Sequence, residues 1–139
     1  MSELPFAATT PVSVARVGLR ARDAENLATY YRNVVGLREL SRAGGTITLG
    51  AANRPLLVIE PDAAAKPDDP RSAGLFHTAF LLPSRADLGR WINHVTANKI
   101  GIDGASDHLV SEALYLTDPE GNGIEIYADR RPQDWKWNG

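Results

Sequence analysis

Two parts of this chain superimpose without a gap at a spacing of 61 residues. Asp23 and Ser84 are each suited to cap the start of a helix, because a short polar side chain can accept a free backbone N–H there. At the same spacing Leu27 falls on Leu88, Tyr30 on Trp91, Tyr31 on Ile92 and Val34 on Val95. Apolar residues three and four apart share one face of a helix. The core stripes of two helices therefore coincide, and Ser84 with Asp87 adds a capping box to the second. A strand is expected before each helix, at residues 14–20 and 76–82. After the first helix, which stops near Gly36, short β-type runs follow at 38–41, 46–49 and 55–60. After the second, which breaks at 98–101, come a weaker strand near 102–104 and a hairpin at 114–128. The expected fold is α+β: two βαβββ repeats forming a cupped, mostly antiparallel mixed sheet with the helices outside. Neither repeat can bury its sheet face alone.

The repeats set the expected boundaries: a leader at 1–12, the first repeat at 13–60, a linker rich in proline and aspartate at 61–73, the second repeat at 74–130, and a tail at 131–139. The tail carries Trp135 and Trp137, and two indoles in a polar segment are expected to pack on this chain or on a partner. A chain of 139 residues is long enough for one real core. It has no cysteine, which excludes disulfides, thiolate metal sites and cysteine nucleophiles. A net charge of −2 without a basic run argues against nucleic acid. No apolar run approaches the roughly 18 residues of a membrane span. The opening residues MSELPFAATTPV lack a signal-peptide pattern, so the expected compartment is the cytoplasm.

The hairpin LYLTDPEGNGIEIYA, Leu114 to Ala128, carries the chemistry. Asp118-Pro119 opens a turn, and Gly121 and Gly123 are expected to supply left-handed backbone angles. On the returning strand Glu125 and Tyr127 share one face while Ile124 and Ile126 take the other. A carboxylate in such a strand is costly to bury unless a cation or several donors meet it.

A paired βαβββ unit with the hairpin DPEGN-x-IE resembles the vicinal oxygen chelate superfamily of glyoxalase I, bleomycin- and fosfomycin-resistance proteins and extradiol ring-cleaving dioxygenases. The stretches GLFHTAFLLPSRADL and DHLVSEALYLTDPEGNGIEIYADR and the Trp-x-Trp tail resemble the first module of two-module catechol-2,3-dioxygenase-like proteins. The resemblance implies a divalent metal, Fe(II) or Mn(II), inside the cupped sheet, with His77 and Glu125 at two ligand positions. The third position, seven residues before the first helix cap, is Arg16. A guanidinium has no lone pair to give a metal, but it can form a bidentate pair with a carboxylate. Arg16 is therefore expected to meet Glu125 within the chain or from a second copy, leaving a degenerate site with no metal. A fourth position, acidic in the glyoxalase pattern, falls near Leu57.

Tyr115 and His108 resemble a tyrosine and a histidine that orient substrate and move protons in the dioxygenase branch. His94, mid-helix, reads as a surface residue. The implied activity is extradiol cleavage of a small aromatic diol by a homodimer. The alternatives are a metal-free module that sequesters a small aromatic or drug-like molecule, and the non-catalytic first module of a longer dioxygenase.

Overall fold

The computed structural model describes residues 14–67, 69 and 71–136. The expected leader and Trp137 lie outside the described residues. The first half runs β1 (Val17–Ala21), α1 (Ala24–Tyr30, continued by a wider π turn at Tyr31–Val35), β2 (Arg38–Ala43), β3 (Thr46–Ala51) and β4 (Arg54–Pro61). The second runs β5 (His77–Leu81), α2 (Arg85–Ala97), β6 (Gly104–Asp107), β7 (Ser111–Thr117) and β8 (Gly123–Asp129), then a short 3-10 turn at Pro132–Asp134. Both caps form as expected: the Asp23 side chain accepts from the Asn26 N–H, and that of Ser84 from the Asp87 N–H. The first strand begins at Val17 rather than residue 14, and β6 begins where the expected weak strand ended. Described residues 62–76 form no strand or helix.

Each half folds into a four-stranded sheet, in the orders β1-β4-β3-β2 and β5-β8-β7-β6. The first strand of each half runs parallel to the last, and the other pairs are antiparallel. This is the expected two-repeat α+β architecture. The ladders also correct one position. Gly18 pairs with Val58 and Ala79 with Glu125, so Val58 is the first-half counterpart of Glu125. Leu57 corresponds to Ile124 instead, and both are fully buried.

One core joins the halves. Leu27, Tyr31, Ile47, Leu49, Leu57 and Ile59 are packed in a single cluster with Val95, Ile124 and Ile126. The two helical segments meet through equivalent positions of the two halves. The buried Trp91 Nε1 donates to Val34 O at 2.8 Å, and His94 Nε2 lies 2.7 Å from Asn33 O, its counterpart in the other half. His94 is thus exposed yet engaged. The symmetry breaks where Tyr31 matches Ile92: Tyr31 is fully buried, whereas Ile92, expected in the stripe, is exposed. Tyr31 is roofed by Phe80, and its hydroxyl donates to Asp118 Oδ2 at 2.9 Å.

Candidate functional site

The 114–128 hairpin forms as β7, a tight turn and β8. Asp118 builds the turn. Its Oδ1 accepts from the Glu120 and Asn122 N–H groups, both at 2.9 Å, and Tyr31 closes the other oxygen. Gly121 takes the left-handed angle the reversal requires (φ 97°). Gly123 does not; it is needed for space, because a Cβ there would lie 2.5 Å from the Phe76 carbonyl oxygen. Strand β5 therefore lies close against the start of β8, with His77 opposite Gly123 and Ala79 opposite Glu125.

Alternation then decides the faces. Ile124 and Ile126 turn into the core, while Glu125 projects to the other face with His77 from β5 and Tyr115 from β7, where Tyr115 pairs directly with Glu125. His77 Nε2 lies 2.9 Å from Glu125 Oε2, and the Tyr115 hydroxyl donates to Glu125 Oε1 at 3.3 Å. His108 Nε2 lies 2.7 Å from the Tyr115 hydroxyl. All four side chains singled out in the sequence thus form one continuous run, His108–Tyr115–Glu125–His77. Glu125 is mostly covered (13% exposed) and His77 is partly open (28%). Burial, and then the Glu125 carboxylate, raise the Tyr115 phenol above its ordinary pKa. A tyrosine hydroxyl donates one hydrogen bond and accepts others. When it donates to Glu125, the contact with His108 requires the imidazole Nε2 to carry the hydrogen, so the four groups form one connected hydrogen-bonded run.

No sequence pattern pointed to what holds His108. Arg130 forks both oxygens of Asp107 and reaches Glu112. Asp107 in turn accepts from the Leu109 N–H, and the His108 N–H donates to Ser111 O. The Arg130 hydrogen bonds hold the Asp107 carboxyl well below the usual carboxylate range. The stretch DHLVSE is thereby fixed beside Tyr115 by a residue at the far end of β8. Trp135 packs nearby, half-buried, with its Nε1 donating to Arg130 O at 2.9 Å.

Arg16 does not join the run. It precedes β1 and is exposed, and its side chain forms no hydrogen bond or ion pair with Glu125, so the expected pairing inside one chain does not occur. Glu125 instead meets an imidazole and a phenol. His77 and Glu125 are chemically suited to a divalent metal, but they are two donors. No group of three or more His, Cys, Asp or Glu side chains that could hold a metal ion occurs among the described residues. Among the described residues, His77 and Glu125 therefore stand as a pair of donors rather than a three-residue set. Two larger cavities, of about 590 and 450 Å³, lie beside the helices and are lined by none of the four site residues. No helix among the described residues is long and apolar enough to cross a membrane.

A catechol-2,3-dioxygenase of Bacillus subtilis is 42% identical over 120 residues, 85% of this chain but 42% of that protein. A biphenyl-2,3-diol 1,2-dioxygenase of Rhodococcus globerulus is 25% identical over 87% of this chain and 65% of its own length. The chain thus spans less than two thirds of either relative. A glyoxalase/dioxygenase structure from Nostoc punctiforme has the same fold, with a TM-score of 0.71 at 19% identity, covering 94% of this chain and 99% of that one. The sequence profile of the Glyoxalase/Bleomycin resistance protein/Dioxygenase superfamily matches residues 13–126, and the chain belongs to that superfamily.

Proposed function

We propose that the protein is an extradiol-dioxygenase-type module that binds a small aromatic vicinal diol on the open face of β5, β7 and β8. The run His108–Tyr115–Glu125–His77 carries this reading. A vicinal diol offers two adjacent hydroxyls, and Glu125 and His77 place an acceptor and an imidazole side by side to receive them. Tyr115 and His108 extend the path by which a phenolic proton leaves. In this family Fe(II) or Mn(II), when bound, supplies oxygen activation; among the described residues His77 and Glu125 would hold such a metal, and Arg16 cannot be the third donor. On this reading the described residues of one protomer form a binding and proton-handling site, and a third donor for ring cleavage comes from a partner.

Two observations support a partner. The chain spans 42% of the Bacillus catechol-2,3-dioxygenase, which favours the reading that it works as one module beside another. Strand β5 is a sheet edge, and Leu75, Phe76 and Leu81 on or before it are exposed (48, 86 and 54%). A second copy covering that edge would make a homodimer, with Arg16 of the copy free to approach Glu125. A cytoplasmic setting belongs to the same proposal.

Calorimetric titration with catechol tests the reading. Saturable binding near one molecule per chain, lost in Glu125→Gln, is expected, with no oxygen uptake when Fe(II) is added to the purified chain. Absence of catechol binding refutes the proposal, and metal-dependent oxygen uptake refutes its claim that the chain alone does not turn over.

A further inference from the structure

Beside His77 and Tyr115 the surface sinks into a cavity of about 260 Å³, lined also by Phe76, Asp103, Thr117 and Gly123. That is smaller than the roughly 300–1,000 Å³ of sites for drug-sized ligands, a size for one ring and a short substituent. The Phe76 ring stands exposed against the His77 imidazole, with centroids 4.9 Å apart, and offers an apolar edge at the mouth. On the other side is Asp103, which the run of four does not use. Its backbone N–H donates to Tyr115 O at 2.8 Å, which fixes it against β7. Its Oδ2 accepts from the Thr117 hydroxyl at 2.7 Å, and its Oδ1 takes no hydrogen bond among the described residues. Among the described residues no lysine or arginine lines the cavity. Its fixed charge is therefore negative, with Glu125 close behind Tyr115 and His77 the one side chain there able to carry a positive charge.

We infer that Asp103 determines specificity: the site selects aromatic diols whose ring substituent is an amine or another hydrogen-bond donor, and disfavours diols bearing a ring carboxylate. This rests on the proposed function and narrows its substrate class. The free Oδ1 accepts from a donor on the substituent, whereas a carboxylate there would face a like charge with no cation to offset it. Because Asp103 is exposed, the discrimination is modest and salt-sensitive.

The test is a titration with catechol, 3,4-dihydroxyphenethylamine and 3,4-dihydroxybenzoate, in the full chain and in Asp103→Asn. The unmodified chain is expected to bind the amine about tenfold more tightly than the carboxylate at low ionic strength, a ratio that shrinks as salt rises. Asp103→Asn keeps an acceptor for Thr117, so it is expected to bind catechol within about twofold of the original and to lose the ratio. Equal affinity for amine and carboxylate in the unmodified chain, or an unchanged ratio in Asp103→Asn, overturns the inference. Failure of catechol itself to bind removes the proposed function and this inference together. Catechol binding without charge discrimination removes this inference alone.

Discussion

His77 and Glu125 enter from two parallel neighbouring strands and meet with Nε2 and Oε2 2.9 Å apart. They are not each other's ladder partners: His77 lies opposite Gly123 and Glu125 opposite Ala79, so the side chains lean diagonally across small residues. The missing side chains on Gly123 and the small Ala79 leave the space in which imidazole and carboxylate touch.

That diagonal contact predicts the effect of changing either partner. Glu125→Gln keeps the shape and removes the charge, and His77→Ala removes the imidazole; each is expected to weaken catechol binding by tenfold or more, about 1.4 kcal/mol. Thermal unfolding of Glu125→Gln should change modestly, because glutamine keeps the shape and an amide oxygen that still accepts from the Tyr115 hydroxyl. A large loss of stability with unchanged affinity would assign the pair to the fold rather than to the site.

Gly123→Ala tests the close approach of the two strands. The added methyl would sit 2.5 Å from a backbone oxygen and 3.1 Å from the His77 Cβ, and backbone cannot swing aside. A cost of about 1–3 kcal/mol is expected in urea unfolding, with loss of catechol affinity, because β5 must shift and carry His77 with it.

The buried bond from Tyr31 to Asp118 ties the first helix to the turn between β7 and β8. Tyr31→Phe is expected to cost about 1.5–3 kcal/mol, toward the lower end because Asp118 keeps its backbone partners. Burial, and then the Asp118 carboxylate, push the Tyr31 phenol well above its ordinary 10.0. The folded chain therefore holds this proton after the unfolded chain has released it. Its contribution is complete below about pH 10 and declines as pH rises further. Tyr30, Tyr115 and Tyr127 are shifted the same way, so the alkaline loss of stability in Tyr31→Phe should be shallower, not absent.

Arg16→His replaces a side chain without a lone pair by a metal donor. Within one protomer this position does not reach Glu125, so any gain reports a second copy placing it there. Elemental analysis after incubation with Mn(II) and desalting is expected to show close to one equivalent per chain for Arg16→His and far less for the original sequence. Equal metal content in both would refute the delivery of this position across copies.

How much of this was legible in the sequence differs from residue to residue. The 61-residue repeat, both helix caps and the alternation that sends Glu125 away from the isoleucines are local or periodic properties, and the chain alone determined them. It also determined that a guanidinium stands where a third metal donor is expected. Only the tertiary structure decided what Glu125 meets, since that depends on the ladder between β5 and β8 and on the space left at Gly123. The break in symmetry at Tyr31 and Ile92, the clamp of Arg130 on the His108 loop and the acidic wall at Asp103 were decided the same way. Each joins residues far apart in the chain, and their proximity follows from strand order and packing, which no local pattern encodes.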